Sequence, residues 1–365
     1  MDRKTFIKRT TVAALGSTLL MNGCQSKQDD IAEALDTSKK YKWKMVTTWP
    51  PNFPVLGEAC KMFAKWVETM SLGQMTIQVY GAGELIPAFE VFDAVSSGAS
   101  EMGNGASYYW AGKSPATQFF TAVPFGMNAQ QMNAWIYCGG GLQLWHELYE
   151  KYNLIAFPSG NTTMQMAGWF NKEINTIDDF KGLKMRIPGL GGKVLAKAGG
   201  TAVLSSGNEL YTNLERGVID ALEWIGPYHD YVMGFHNISK YYYSPGWHEP
   251  GSVLENMFNL KAYNALPDHL KMILETASYR MNMWVISEFE AKNNEYLNKI
   301  KQESSVEVRR FSPEILQSLK QYTSEVLEEV AQNDPMSRKV YDAFKVFSQN
   351  IRNWAEYSEK LYHGM

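Results

Sequence analysis

Pro267 opens a stretch that reaches Ser304 with no further proline and no glycine. A run of that kind reads as one helix, over ~50 Å long at ~1.5 Å per residue. Leu270, Ile273, Met281, Trp284, Val285 and Phe289 recur along it at mixed spacings of three and four, which gives it an apolar face. A rod of this length is unusual inside one globular domain. It either lies across two lobes or packs against a second subunit, and the expectation here is a homodimer. Two more helices follow: one opened by Ser312-Pro313-Glu314, with Ser as N-cap and Pro at N1, and a last one over roughly Pro335 to Leu361.

Upstream the pattern is different. Short apolar runs alternate with amphipathic stretches, the signature of an α/β architecture. Lys44–Thr48, Met75–Tyr80, Leu154–Phe157, Met185–Ile187 and Ala202–Leu204 read as strands, and Val218–Leu222 leads into Glu223-Trp224. Leu56–Met70, Pro87–Ser97, part of Asn128–Tyr152 around a flexible Gly139-Gly140-Gly141, Gly191–Ala198 and Asn208–Arg216 read as helices, with Gly98 and Gly217 as stops. With 365 residues, 45% of them hydrophobic, the chain can bury two ordinary cores.

The first residues read as an export signal. A basic Arg3-Lys4-Thr5-Phe6-Ile7-Lys8-Arg9 segment precedes an apolar stretch far shorter than the ~20 residues a bilayer needs, and small Gly23 precedes Cys24. Arg3-Lys4-x-Phe6-Ile7-Lys8 resembles a twin-arginine signal with Lys where the second Arg belongs. Leu20-Met21-Asn22-Gly23-Cys24 resembles a lipobox, which makes Cys24 the expected lipidated residue; the plainer alternative is a cleaved periplasmic protein. Gln25 to Lys40 is polar and reads as a tether. Residues 1–23 carry a charge of +3 against −3 for the whole chain, so the remainder is −6. A mildly acidic surface argues against a nucleic-acid partner. Cys60 and Cys138 are left; they could form one disulfide in an oxidising periplasm, and the favoured expectation is that both are buried free thiols.

Enzyme motifs are missing from the sequence: no HExxH, GxSxG, CxxC or GxxxxGK[ST] occurs. Gly189-Leu190-Gly191-Gly192 only partly echoes a dinucleotide turn and is read as a tight entry into a helix. His229, His236 and His248 do not share a helical face, which argues against a zinc site. A different group stands out. Gln165, Arg186, Glu223 and Glu249 each interrupt an apolar or aromatic segment: Met164-Gln165-Met166, Met185-Arg186-Ile187-Pro188, Leu222-Glu223-Trp224-Ile225 and Trp247-His248-Glu249-Pro250. Charged residues so flanked are expected to be partly buried, and buried charge is costly unless paired. An Arg fork suits a ligand carboxylate, and two Glu with an amide oxygen suit a hard cation. Internal Arg–Glu pairing that merely stabilises the fold explains the same pattern, and from these residues alone both readings stand.

The same segments, with Thr48-Trp49-Pro50, Gly83-Glu84-Leu85, Tyr108-Tyr109-Trp110-Ala111-Gly112-Lys113, Ala122-Val123-Pro124-Phe125-Gly126, Gly160-Asn161-Thr162, Gly168-Trp169-Phe170, Lys181-Gly182-Leu183-Lys184-Met185-Arg186-Ile187, Glu223-Trp224-Ile225-Gly226-Pro227-Tyr228 and Tyr242-Tyr243-Ser244-Pro245-Gly246-Trp247, resemble the solute receptors of tripartite ATP-independent periplasmic (TRAP) transporters. The resemblance is to the DctP-like branch that binds 2-oxo acids, and it runs from about Trp43 to about Tyr357. It implies a two-lobed α/β solute-binding fold with a hinged cleft, long C-terminal helices, and a dimer built on the longest of them. It implies lobe I over 41–160 and about 250–262, lobe II over 161–249, and helices for interlobe packing and dimerisation over 263–365, after a signal peptide at 1–23 and a lipid-anchored tether at 24–40.

By the same resemblance, Arg186 binds the substrate carboxylate, and Gln165, Glu223 and Glu249 bind a cation, sodium or alternatively calcium, that also touches the substrate. Trp224 lends that ion its backbone carbonyl. Tyr108, Tyr109 and Asn161 complete the substrate-binding set. The implied function is an exported, non-enzymatic receptor that hands a pyruvate-like 2-oxo acid to membrane permease subunits. Rival assignments are a receptor for lactate with calcium, for an aromatic carboxylate or for mannitol, a ligand sensor, or an exported lyase or hydrolase using Glu223 and Glu249.

Overall fold

The computed structural model describes residues 38–365; the expected signal peptide, the lipidation at Cys24 and nearly all of the tether lie outside the described residues. Eleven strands are described: β1 (Tyr41–Thr47), β2 (Met75–Tyr80), β3 (Met102–Gly105), β4 (Leu154–Asn161), β5 (Gly168–Phe170), β6 (Lys184–Arg186), β7 (Thr201–Val203), β8 (Ala221–Leu222), β9 (Tyr241–Ser244), β10 (Val253–Asn259) and β11 (Glu307–Arg310). They form two sheets, in the orders β2-β1-β3-β10-β4 and β11-β9-β5-β8-β6-β7. In the first, β1 is parallel to β2 and β3, while β10 runs antiparallel between β3 and β4. In the second, β6 is parallel to both β7 and β8, and β5 is antiparallel to both β8 and β9.

The helices surround these sheets: α1 (Leu56–Met70), α2 (Val91–Ser97), α3 (Ala129–Cys138), α4 (Gly141–Glu150), α5 (Gly189–Lys197), α6 (Leu210–Glu215), α7 (Pro227–Val232), α8 (Leu260–Asn264), α9 (Asp268–Glu303), α10 (Pro313–Asn333), α11 (Pro335–Tyr357) and α12 (Glu359–His363). Local chemistry sets several of their ends. The Asn128 side chain accepts from the Gln131 N–H while the Gln131 side chain accepts from the Asn128 N–H, a capping box that starts α3. Ser312 and Asp334 cap α10 and α11, each followed by proline at the first helical position, where no N–H is missed.

Helix α9 matches the proline- and glycine-free run. It packs on β4 and α1 of the first sheet's side and on α7 of the second's, so it lies across both. Gly160 on β4 permits the approach, because a Cβ there would stand 2.9 Å from Cγ1 of Val285. Buried Leu270, Met281, Val285 and Phe289 form the seated face, as their spacing indicates. The opposite face leaves Met272 and Met283 exposed.

Three local expectations change. Pro87–Ser97 is not one α-helix: a 3-10 turn at Ala88–Glu90 precedes α2. The last helix is interrupted at Ser358, between α11 and α12. Cys60 is buried and free as expected, but Cys138 is exposed, because it ends α3 next to the Gly139-Gly140 turn into α4.

Candidate functional site

Arg186 ends β6, and the parallel register sets it opposite Leu222 of β8, so the next residue, Glu223, emerges beside it. The Glu223 N–H donates to the Arg186 carbonyl at 3.1 Å, which fixes the two backbones together. Both side chains are about 1% exposed. Arg186 Nη1 donates to the Glu223 backbone carbonyl at 2.9 Å and also to Glu223 Oε1. Its Nε donates to the Ser205 carbonyl at 3.4 Å, and Nη2 makes only a long contact with the Tyr109 hydroxyl, also 3.4 Å. Trp224 lies over the guanidinium, 5.0 Å from Cζ to the ring centroid. Burial works against the Arg186 charge, but the carboxylate of Glu223 and smaller contributions from Tyr109, Tyr108 and Glu249 outweigh it, and the pKa is raised. The internal Arg–Glu pair left open by the sequence is therefore present.

The second half of the site comes from the loop after β9. Gly246 donates its N–H to the Gln165 carbonyl at 2.9 Å. A Cβ at position 246 would fall 2.3 Å from that oxygen, so only glycine lets these two chain segments meet. Three residues on, Glu249 Oε2 accepts from Gln165 Nε2 at 2.8 Å and from the Ser252 hydroxyl. Gln165 Nε2 also reaches Thr162 Oγ1 at 2.9 Å. Burial, then the neighbouring Glu223, push the Glu249 carboxyl up to about 7, against the opposing pull of His248, Ser252 and Arg186.

His248 links the halves: its Nε2 lies 3.0 Å from Glu223 Oε2, and both side chains are buried. Ligand atoms of Glu223, His248 and Glu249 all lie within 4.8 Å of one another. Three buried polar atoms here have no partner among the described residues: Gln165 Oε1, His248 Nδ1 and Asn161 Nδ2. A buried, unpaired polar atom costs about 1–3 kcal/mol, so each of these three is a group in want of a partner.

All eight residues singled out from the sequence are at least nine-tenths buried except Tyr109, which is partly exposed. Arg186, Glu223, Trp224 and Tyr109 touch directly, and Gln165 meets Glu249. Tyr108 stands against Tyr109, 4.7 Å between ring centroids. Asn161, at the end of β4, turns its Oδ1 to the Thr163 N–H at 2.9 Å and touches none of the other seven through a hydrogen bond. Beyond the two tyrosines lies an open cavity of about 520 Å³, lined also by Pro188, Gly189, Lys193 and Leu204; Arg186, Glu223 and Glu249 do not line it.

Sequence reasoning missed His248. Helical spacing carries no sign of it, because the contact with Glu223 joins two loops. Ser252, Thr162 and Ser205 were missed too, and nothing in their local sequence distinguishes them. Trp224 has a second engagement that was not foreseen: its Nε1 donates to His229 Nδ1 at 2.7 Å, while His229 Nε2 meets the Pro54 carbonyl at 2.8 Å. Burial holds the His229 pKa down to about 4, so the ring is neutral, with Nε2 carrying the proton.

Against known proteins, residues 45–334 match the family described as bacterial extracellular solute-binding protein, family 7, DctP. A monocarboxylate 2-oxoacid-binding periplasmic protein of Nostoc sp. is 39% identical over 356 residues, 98% of this chain and 96% of the relative. Two solved TRAP periplasmic solute binding proteins superpose with a TM-score of 0.87 over 89% of this chain and 99% of theirs. The one from Pseudoalteromonas atlantica, 44% identical, holds sodium and pyruvate. The one from Colwellia psychrerythraea, 46% identical, holds calcium and pyruvate.

Proposed function

The chain belongs to bacterial extracellular solute-binding protein family 7, the DctP family, and from that membership we propose that it is a TRAP solute receptor for a small 2-oxo monocarboxylate of the pyruvate type, bound with a metal cation. The observation that carries the proposal is the buried Arg186 fork sharing Glu223 with an oxygen-rich shell. One Arg186 arm is committed to Glu223, while Nη2 has only its long contact with Tyr109, and that arm is assigned to the solute carboxylate.

Charge then calls for the cation. With both carboxylates ionised, one guanidinium leaves the buried site one negative charge in excess, and a solute carboxylate makes it two. Gln165, Glu223, Glu249 and the Trp224 carbonyl are assigned to the ion; the Gln165 amide oxygen, buried without a partner, has the chemistry of a hard-cation ligand. The cation supplies positive charge for the carboxylate and oxo oxygens of the solute. Tyr108, Tyr109 and Asn161 are assigned to the solute's surroundings. The lobes are assigned as 41–160 with about 250–262, and 161–249.

Beyond the site, the proposal includes export to the periplasm, a lipid anchor at Cys24, a homodimer through the exposed face of α9 and delivery of the solute to membrane permease subunits. No catalytic role is assigned to Glu223 or Glu249.

Calorimetry of refolded, ligand-stripped protein with pyruvate, longer 2-oxo acids, lactate and mannitol, each in sodium, calcium or chelator, tests this. Pyruvate should bind with a cation and be released unchanged. Arg186→Ala should weaken it by at least about 100-fold, since the loss of one partner of a buried charged pair costs roughly 3–5 kcal/mol. Wild-type affinity in Arg186→Ala would remove the carboxylate anchor from the model of binding.

A further inference from the structure

We propose that His248 is a positioning residue of the cation site, holding the Glu223 carboxylate at the angle in which it meets the ion. The inference rests on the cation assignment above and goes beyond it, since no role has been given to this histidine.

Glu223 is gripped from both sides. Oε1 takes a hydrogen bond from Arg186 Nη1, and Oε2 faces His248 Nε2 at 3.0 Å. A carboxylate oxygen can only accept, so Nε2 is the donor. With one oxygen held, the carboxylate could still swing about its last torsion; with both held, its plane is set. His248 is itself well fixed. Its backbone lies in the turn closed by the Trp247 N–H to Pro245 carbonyl bond at 2.8 Å and the Glu249 N–H to Gly246 carbonyl bond at 3.1 Å. Gly191 of α5 leaves room for it, because a Cβ there would approach His248 Cβ to 3.0 Å. The Trp247 ring meets the imidazole edge-on, 5.5 Å between centroids. Nε2 is the imidazole's one hydrogen-bonded nitrogen among the described residues, since Nδ1 is buried without a partner. Among the described residues the ring's hydrogen bonding is thus spent on Glu223 alone.

Groups that orient a metal-binding side chain typically govern metal affinity by ~10–100-fold. A residue that only stabilised the fold would change the melting temperature instead. The test follows the cation requirement of pyruvate binding in the ligand-stripped full chain, by calorimetry at increasing sodium or calcium. His248→Phe keeps a flat ring and removes the N–H. It should need roughly 10–100 times more cation for half-maximal binding, while pyruvate affinity at saturating cation returns to near the wild-type value. His248→Gln, with an amide N–H in reach of Oε2, should recover most of the loss. If the phenylalanine variant does not fold, His248→Ala with imidazole supplied in the buffer should regain cation affinity that the same variant lacks without it. An unchanged cation requirement in His248→Phe, or failure of both glutamine and added imidazole to restore it, would overturn the proposal. Cation-independent binding in the wild type would instead bring down the cation assignment, and the role of His248 with it.

Discussion

Glu255, in the interior strand β10 of the first sheet, and Glu223, just after β8 of the second, are both fully buried, yet they keep different company. Glu255 Oε1 accepts from the Trp110 indole at 2.7 Å and the Tyr149 hydroxyl at 3.0 Å; its other oxygen has no partner among the described residues, and no cationic side chain bonds to it. Burial pushes its carboxyl up to about 7. Asp230 resembles it: Trp169 Nε1 at 2.9 Å and the Tyr242 hydroxyl at 2.8 Å hold it, and burial raises it to about 7 as well. Glu223 is set instead between a guanidinium and an imidazole, with a second carboxylate close by. Burial of an acid among aromatics therefore does not mark a site. Neutral indole and phenol donors suit a carboxyl that can keep its proton, whereas cationic partners and a crowd of acceptors suit one that shares its charge with a ligand.

The comparison breaks most visibly through neutral isosteres. Glu223→Gln should weaken cation-dependent pyruvate binding by about 30-fold or more, in line with the roughly 2–4 kcal/mol at stake in a buried, charge-assisted contact. Glu255→Gln should leave the affinity unchanged. Equal losses in the two variants, measured by calorimetry, would erase the distinction.

Stability should respond the other way round. A folded-state pKa raised from the ordinary 4.5 to about 7 means that the Glu255 contribution is fully present below pH ~4.5 and is lost as pH rises through 7. Glu255→Gln should then be more stable than wild type at pH 8, by on the order of 2–3 kcal/mol, and equal to it at pH 4. Melting curves at the two pH values decide this, and a glutamine variant less stable at pH 8 would refute it. The smallest loss of affinity is expected at Tyr109→Phe, which removes a 3.4 Å contact to Arg186 and a hydrogen bond with Tyr108. A loss of affinity above about tenfold there, more than the ~1 kcal/mol of an ordinary hydrogen bond, would give Tyr109 a direct share in the solute.

How far these relations could be read in advance depended on how local they are. Helix α9 was legible because its signal, the lack of proline and glycine with apolar residues at threes and fours, is contained in its own sequence. The strand β10 was not, although it is interior to its sheet. Its Val253–Asn259 run puts Glu255 and Asn256 side by side in the interior, which destroys the alternation a strand is recognised by. Strand β3 is Met102-Gly103-Asn104-Gly105, whose glycines read as a loop; Gly103 is required because a Cβ would sit 2.5 Å from Val91 Cγ1. At the site, Arg186, Glu223, Glu249 and Gln165 were each visible as a charged or polar residue in apolar surroundings. Their grouping was carried by family resemblance, since the β6–β8 register and the Gly246–Gln165 contact that join them are properties of the folded chain.

Helix α9 meets α1 and β4 through Arg280 and Val285, and further along it meets α7 through Asn293, which accepts from the Tyr228 N–H. It acts mechanically as a tie-beam between the two sheets. An α-helix bends with difficulty and barely stretches, so the sheets cannot separate without either flexing the beam or letting one set of side chains slip along it. Substitutions at Val285, which faces Gly160 of β4, should then alter the rate at which solute is admitted and released more than the affinity for it, whereas Phe289 packs on His229 and through it on Trp224, so its replacement should change both.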